Sequence, residues 1–156
     1  MNYWLMKSEP TSFNIDDLMH RPKQTTAWDG VRNYQARNMM RDQMQPGDLA
    51  LFYYSNCEIP GIVGVMEVVS PSYPDPTQFD PNSKYFDPKA TLSKPIWFLV
   101  DLKFKEKFKQ LISLEQLKKN LRLHDLIILR KGNRLSITPI TKDQWQEIFN
   151  TWHVWK

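Results

Sequence analysis

Two neighbouring segments of this chain are almost continuously apolar, and they constrain the fold more than any other feature of the sequence. Residues 49–54 (LALFYY) and 62–69 (IVGVMEVV) contain a single charged side chain, Glu67. Short apolar runs of this kind are typical of strands that are buried in a sheet. Residues 56–61 (NCEIPG) link them and suit a hairpin connection, because they include Asn, Pro and Gly. The sequence therefore predicts a buried β-hairpin.

Alternating and apolar patterns predict three more regions of strand. Residues 2–8 place Trp4 and Met6 on one face. Residues 96–105 alternate between an apolar face and a mixed face, as a strand with two different surroundings does. Residues 127–137 predict a strand, a basic turn and a second strand.

Four short helices are predicted between the strands. Ala36, Met40 and Met44 recur at a spacing of four within residues 33–44, as on the buried face of a helix. The other three helices begin at polar N-caps, which are Asn14, Ser113 and Thr141, the last two as capping boxes that end in Gln. A chain of 156 residues forms one domain. Its mixture of strands and short helices predicts a barrel-like α+β domain.

The composition excludes several classes of function. The chain has only five glycines, and neither a G-x-G-x-x-G nor a G-x-x-x-x-G-K-[ST] motif can be built from them. No apolar run approaches the ~20 residues of a membrane span. The first residues also lack the basic and apolar regions of a signal peptide. Rossmann and P-loop nucleotide binding and a membrane partner are therefore not expected.

Metal, disulfide and nucleophile chemistry are not expected either. Cys57 is the only cysteine, and the three histidines are far apart in the sequence, without an H-x-x-x-H pair. A lone cysteine without a neighbouring histidine is far more often an ordinary thiol than a nucleophile. The sequence thus predicts no metal, no cofactor and a reducing, cytoplasmic compartment.

Positive charge is concentrated in the last third of the chain. Residues 1–100 carry 9 basic and 11 acidic side chains, a net charge of −2, whereas residues 101–156 carry 12 basic and 6 acidic side chains, a net charge of +6. A basic third is compatible with a surface that faces phosphate groups. An ordinary lysine-rich surface explains the charge equally simply, and the charge alone favours that interpretation.

Aromatic rings are numerous enough for some of them to serve a ligand. Residues 70–95 combine repeated Asp-Pro pairs with several rings, which favours a long loop that is ordered and packed on the domain. Trp97 lies on the less apolar face of its predicted strand, where either a loop covers it or a ligand stacks on it. Trp28 precedes a predicted helix and would be presented from a turn.

Five ordered motifs resemble those of the EVE-domain family, and together they span about residues 2–149. They are residues 3–10 (YWLMKSEP), 28–38 (WDGVRNYQARN), 52–64 with FYYSN and PGIVG, 74–81 (PDPTQFDP) and 130–136 (RKGNRLS). Motifs of this length in this order are far more specific than one short signature. Tyr54 departs from the pattern, because many members of the family carry His at this position.

The resemblance implies a PUA-like fold, which is a curved, mixed β-barrel of about five to seven strands with short helices packed around it. This agrees with the α+β domain predicted from the patterns. The EVE (PUA-like) domain would occupy residues 1–149. Residues 150–156 would form a C-terminal strap that packs on the barrel.

The resemblance also implies a pocket for a modified base. EVE domains are related to YTH domains, which bind N6-methyladenine in RNA, and to ASCH domains, and 5-methylcytosine-type bases are the usual proposal for EVE domains on DNA. By position, Trp28 resembles one wall of the YTH pocket, and Lys7 and Ser8 resemble the strand end that closes it. The remaining candidates for the pocket are Asn33, Ser55, Asn56, Tyr85 and Trp97, and the candidates for phosphate contacts are Arg37, Arg130 and Arg134.

We therefore expect a non-catalytic module that recognises a modified base, with a methylated base as the first candidate, in DNA or RNA through an aromatic pocket. The partner would be nucleic acid that contains this base, rather than a membrane or a metal, and the sequence leaves the oligomeric state open. One alternative is an enzyme that acts on a modified nucleoside or nucleic acid, with Lys7 and Glu9 as acid and base. Another is a protein-interaction module that uses the loop of residues 70–95.

Overall fold

The main sheet has six strands, and a separate ladder of two strands lies beside it in the computed structural model, which describes residues 1–152. The strands are β1 (Tyr3–Ser8), β2 (Thr25–Ala27), β3 (Leu49–Tyr54), β4 (Gly61–Val68), β5 (Tyr73–Pro74), β6 (Phe98–Leu99), β7 (Asp101–Ser113) and β8 (Ile137–Ile140). The order across the main sheet is β2-β7-β4-β3-β1-β8, and β5 pairs with β6. β1 runs parallel to β3, whereas β3 and β4 form an antiparallel hairpin. The predicted α+β, PUA-like fold is confirmed.

Short helices join the strands and begin where their caps predict. They are α1 (Ile15–Met19), α2 (Tyr34–Asn38), α3 (Leu114–Lys119) and α4 (Lys142–Trp152), and a π-helical turn (Met39–Gln43) continues α2. The Asn14 side chain accepts a hydrogen bond from the Asp17 amide at 2.8 Å, and the Asp17 carboxylate accepts one from the Asn14 amide at 2.9 Å. The capping boxes at Ser113 and Thr141 form in the same reciprocal way.

The β3–β4 hairpin lies at the centre of the sheet and is buried on both faces, which confirms the prediction from its apolar sequence. On one face of the sheet, Phe52 of β3 and Trp4 and Met6 of the neighbouring β1 pack with residues of α1 and α2. On the other face, Leu51 of β3 and Leu5 of β1 pack with residues of α3 and α4. Burial of apolar side chains stabilises the fold by about 25 cal/mol per Å² removed from water, so a sheet covered on both faces is the main source of stability.

Two of the predicted strands are wrong in extent. The strand predicted for residues 96–105 is divided, because β6 pairs with β5 and β7 begins at Asp101. Leu99 and Leu102 are both buried, so the alternation of this segment does not separate a core face from a solvent face. Residues 127–129 form a 3-10 turn instead of a strand, and β8 begins only at Ile137. A short apolar run does not by itself distinguish a strand from a helical turn.

The C-terminal strap predicted for residues 150–156 overlaps α4, whose described residues are Lys142–Trp152. Trp152 packs against the core on the α3 and α4 side of the sheet. Residues 153–156 lie outside the described residues. Among the helices of residues 1–152, none has the length and apolar character needed to cross a membrane.

Asp48 fixes the start of β1 against the turn that leads into β3. Its carboxylate is 2% exposed and accepts hydrogen bonds from the Trp4 indole at 3.1 Å, the Asn2 amide at 3.0 Å and the Gln45 amide at 3.0 Å. A buried carboxylate with several donors orders both segments, because each donor would otherwise be left unsatisfied.

We expect Asp48→Asn to lower the free energy of unfolding by ~1–3 kcal/mol, because the amide turns a donor towards groups that need an acceptor. Chemical denaturation of both proteins measures the change. The matched control is Asp42→Asn, since Asp42 is exposed and pairs only with the neighbouring Arg41. It should change stability by no more than about 0.5 kcal/mol. Equal losses in the two variants would contradict the role given to Asp48.

Candidate functional site

A cavity of about 880 Å³ opens where the end of β1, the segment between α1 and α2, and the loop of residues 70–95 meet. This volume falls within the range of small-molecule and cofactor sites. The wall combines apolar, aromatic and charged side chains. It is formed by residues 7–9, 12–13, 21–22, 25–33, 84–85 and 136. Several of the residues singled out in the sequence therefore meet here, although they lie far apart along the chain.

Trp28 is held rigidly in the cavity wall by other aromatic rings. Its ring packs edge-to-face with Phe13, at 6.3 Å between centroids and 85° between planes, and with Phe52, at 5.7 Å and 84°. Its backbone amide donates to the Val100 carbonyl at 3.0 Å. Trp28 is 8% exposed, because the core covers most of its surface. The small exposed part lines the cavity.

Tyr85 supplies another ring to the cavity, beside those of Phe13 and Trp28, and lies directly on Gly30. A Cβ atom at Gly30 would come within 2.5 Å of the tyrosine ring, and the backbone of Gly30 has a φ of +82°, which favours glycine. Only a residue without a side chain allows this contact. The Tyr85 ring therefore packs directly on the backbone of the Trp28-Asp29-Gly30 segment.

An ion pair between Arg32 and Asp75 fastens the loop of residues 70–95 to this turn. The Asp75 carboxylate accepts hydrogen bonds from the Gly30 amide at 2.9 Å, from Arg32 at 3.1 Å and from the Thr77 amide at 2.8 Å. Arg32 also donates to the Tyr85 carbonyl at 2.7 Å and 3.2 Å. Burial alone raises the pKa of Asp75, but hydrogen bonds from Thr77, Gly30 and Arg32 outweigh it and hold this pKa below its ordinary value.

Three polar side chains give the cavity both donors and acceptors. The Ser8 hydroxyl donates to the Phe13 carbonyl at 2.6 Å, so its lone pairs remain available to accept. The Asn33 side-chain oxygen caps α2 by accepting from the Ala36 amide at 3.0 Å, so its NH₂ group remains available to donate. Lys7 is half-buried beside them, and desolvation lowers the pKa of its ammonium group.

Two exposed cations at the rim of the cavity were not identified from the sequence. The Arg21 guanidinium lies 5.3 Å from the Phe13 ring centroid, and the Lys84 ammonium lies 5.0 Å from the Tyr85 ring centroid. Neither side chain forms a salt bridge with the described residues. Residues 21 and 84 meet only through the tertiary fold, so no local pattern in the sequence indicates them.

Other residues that the sequence proposed lie behind the cavity or outside it. Of the pocket candidates, Ser55, Asn56 and Trp97 are absent from the cavity wall. Asn56 donates to the Glu9 carboxylate at 2.7 Å, and the Ser55 amide donates to the Ser8 carbonyl at 3.0 Å, so both support the strand end that lines the cavity. Tyr54 has its hydroxyl at the start of α1, where it accepts from the Ile15 amide at 3.1 Å.

Trp97 is covered, which is one of the two alternatives that its sequence position left open. It is 5% exposed, and its indole N–H donates to the Asp87 carboxylate at 2.8 Å. The phosphate candidate Arg37 donates to the Ile96 carbonyl at 2.9 Å, next to Trp97. The other phosphate candidates, Arg130 and Arg134, are exposed on the turn that leads to the cavity residue Ser136.

No group of three or more His, Cys, Asp or Glu side chains within residues 1–152 is arranged to hold a metal ion. The cavity instead offers three aromatic rings, those of Phe13, Trp28 and Tyr85, with neutral and charged hydrogen-bonding groups and cations at its rim. This combination suits a planar, polar ligand that carries negative charge.

Comparisons with known proteins agree with this description. The family model for the EVE domain matches residues 2–151. Thymocyte nuclear protein 1 of Rattus norvegicus is 44% identical over 165 residues, which cover 96% of this chain and 73% of the rat protein. A crystal structure from Pseudomonas syringae is 47% identical, with a TM-score of 0.90 over 96% of this chain and 98% of that chain. The crystal structure of human THYN1 protein in complex with DNA that contains 5-methylcytosine is 40% identical, with a TM-score of 0.91 and 97% of each chain covered.

The Arg32–Asp75 pair makes a pH-dependent contribution to stability. Because the pKa of Asp75 is lowered in the folded protein, the carboxylate stabilises the fold at pH values above its ordinary pKa of about 3.9. We expect Asp75→Asn to cost roughly 1.5–3 kcal/mol at pH 7, and the difference from the wild type to shrink as the pH falls below about 4. Denaturation at a series of pH values measures both quantities.

The control for this experiment is Asp80→Asn, which changes an exposed aspartate of the same loop. It should alter the free energy of unfolding at pH 7 by no more than about 0.5 kcal/mol. A difference between wild type and Asp75→Asn that stays constant from pH 7 to pH 3 would show that the charge of Asp75 is not what stabilises the loop.

Proposed function

This chain belongs to the EVE-domain family, and from that membership we propose that it is a non-catalytic module that binds a methylated base in nucleic acid. One observation carries the proposal. A relative with 40% identity over 97% of this chain, human THYN1 protein, is in complex with 5-methylcytosine-containing DNA. We therefore take 5-methylcytosine in DNA as the first candidate ligand, and RNA as the polymer to be compared with it.

The base is either flipped out of a duplex or presented by a single strand. It enters the cavity and lies against the rings of Trp28 and Tyr85. Both rings line the cavity, and both are held in place by contacts that do not involve the ligand. Stacking on an aromatic side chain contributes about 1–3 kcal/mol per base and suits any base, so it supplies affinity rather than selectivity. Extrusion from a duplex costs a few kcal/mol, which favours single-stranded or weakly paired sites.

The polar groups of the cavity match the edge of a cytosine. The lone pairs of Ser8 accept from the exocyclic amino group, and the donors of Lys7 and Asn33 face the ring nitrogen and carbonyl oxygen. The 5-methyl group gains only apolar contact with the aromatic wall. One methyl group in a pocket discriminates by ~1–3 kcal/mol, so the polar contacts must select cytosine while the apolar wall selects the methyl group.

Arg21 and Lys84 neutralise phosphates at the rim of the cavity. Both are exposed, line the cavity and have an aromatic ring beneath them that orients the side chain. Arg130 and Arg134 extend this positive surface along the turn that leads to Ser136. Arg37 lies outside the cavity wall, and its guanidinium donates to the Ile96 carbonyl and to Asn38.

Two alternatives were an enzyme and a protein-interaction module. Lys7 and Glu9, the acid and base candidates of the enzyme, both line the cavity, and the Glu9 carboxylate accepts from Asn56. The loop of residues 70–95 contributes Lys84 and Tyr85 to the cavity, so its aromatic content has a use in base binding. Cytoplasmic localisation stays a prediction.

We expect the wild type to bind an oligonucleotide with 5-methylcytosine about 10- to 200-fold more tightly than the unmodified one, as one buried methyl group allows. Trp28→Leu should remove most of this affinity, because it removes the stacking ring. Fluorescence anisotropy with labelled single-stranded and duplex oligonucleotides measures both effects. Trp152→Leu is the matched control, since Trp152 lies on the other face of the sheet, and it should bind as the wild type does.

Trp28 contacts the core, so a second variant keeps the experiment decisive if Trp28→Leu does not fold. Lys7→Met retains the length of a half-buried side chain and removes its donor. It should weaken binding of the methylated and unmodified oligonucleotides by similar factors. Equal affinity of the wild type for both oligonucleotides would contradict the proposed selectivity for a methylated base.

The rim cations are tested by the dependence of binding on salt. We expect Arg21→Gln and Lys84→Gln each to reduce the slope of log K against log salt concentration by ~1, because each removes one phosphate contact. Lys118→Gln is the control, since Lys118 is exposed on α3, away from the cavity. If the slope is unchanged in the two rim variants but falls in Arg130→Gln, the phosphate contacts lie on the turn of residues 130–136 and not at the rim of the cavity.

A further inference from the structure

Tyr34 is the most exposed aromatic side chain among residues 1–152, and it follows directly on the cavity residue Asn33. It is 59% exposed, compared with 40% for Phe86 and 36% for Tyr73. Its ring does not line the cavity. Exposure of an aromatic ring to water is unfavourable, so the contacts that hold Tyr34 beside the cavity are informative about its role.

The ring of Tyr34 is held by Trp97 and Arg37. It stacks on Trp97, at 4.9 Å between centroids and 28° between planes, and the Arg37 guanidinium lies 4.8 Å from its centroid. Because Trp97 covers one face of the ring and Tyr34 is 59% exposed, we take the opposite face, called here the outer face, as the one that is open to solvent.

A continuous row of planar groups joins Tyr34 to the cavity wall. The Arg32 guanidinium lies 5.4 Å from the Tyr85 ring and 5.3 Å from the Trp97 ring, and Trp97 in turn carries Tyr34. Asn33 lines the cavity, and consecutive Cα atoms are about 3.8 Å apart, so the backbone of Tyr34 lies at the cavity edge. The exposed ring of Tyr34 is therefore within reach of a nucleotide that flanks a base in the cavity.

We propose that the outer face of Tyr34 is a stacking subsite for an unpaired base of a flanking nucleotide on the same strand as the base in the cavity. The proposal rests on the proposed function and adds a second contact to it. Aromatic stacking is tolerant of base identity, so the subsite strengthens binding without imposing a sequence preference. The positive charge of Arg37 beside the ring complements the phosphate that the flanking nucleotide brings with it.

The test uses single-stranded oligonucleotides with a central 5-methylcytosine and either ordinary or abasic flanking positions. Tyr34→Leu removes the π-face but keeps an apolar side chain over Trp97. We expect it to weaken binding of the ordinary oligonucleotide by about 5- to 150-fold, as the loss of one stacked base implies. On the abasic-flanked oligonucleotide it should bind as the wild type does. Tyr34→Phe should retain wild-type affinity for both, and Leu121→Ala, which changes an exposed apolar residue elsewhere, should too.

A fluorescent base analogue gives an independent measurement. With 2-aminopurine at the flanking position, the wild type and Tyr34→Phe should quench the fluorescence on binding, and Tyr34→Leu should not. Unchanged affinity and quenching in Tyr34→Leu overturn the subsite and leave the proposed function intact. An equal loss on ordinary and abasic-flanked oligonucleotides also overturns it, because Tyr34 would then act on the cavity itself. A wild type that does not distinguish methylated from unmodified oligonucleotides overturns the proposed function, and the subsite with it.

Discussion

The buried ion pair between Arg32 and Asp75 is the contact on which the site depends. Asp75 is 1% exposed, and its carboxylate receives the Gly30 amide, the Arg32 guanidinium and the Thr77 amide and hydroxyl. A buried carboxylate without such partners would be costly, so the pair forces the turn at Gly30 and the loop of residues 70–95 together. Tyr85 then lies on Gly30, and its ring joins the wall of the cavity.

Arginine suits this position better than lysine would. The planar guanidinium donates to Asp75, to Thr77 and to the Tyr85 carbonyl at the same time, and its flat face lies beside both Tyr85 and Trp97. A lysine carries three donors on one nitrogen and has no planar face, so it could not fix both the loop and the rings. The same residue thus joins the cavity to the row of rings that ends at Tyr34.

The sequence predicts well those features that are determined by neighbours along the chain. The apolar run of β3 and β4 and the cap at Asn14 each follow from local patterns, and the structure contains both. Resemblance to a known family adds the expectation that Lys7, Ser8 and Trp28 belong to one site, and these residues do meet in the cavity.

The features that sequence reasoning missed depend on contacts between distant residues. Arg21 and Lys84 come to the same rim only after the loop of residues 70–95 has packed on the domain. Trp97 looked available because its predicted strand had a mixed face, but Gln78 binds the backbone of the segment that carries Trp97, and the loop covers its ring. Alternation along one strand gives no information about a loop that folds over it.

We propose that a methylated base lies against Trp28 inside the cavity, and an isotope label on its methyl group reports this contact. An oligonucleotide whose 5-methylcytosine carries a carbon-13 methyl group can be followed by NMR as the protein is added. We expect the methyl resonance to shift upfield on binding, because the methyl group enters the ring current of an indole, and to show nuclear Overhauser effects to Trp28. A methyl resonance that stays at its free position in the saturated complex, or that contacts the turn of residues 130–136 instead, would contradict it.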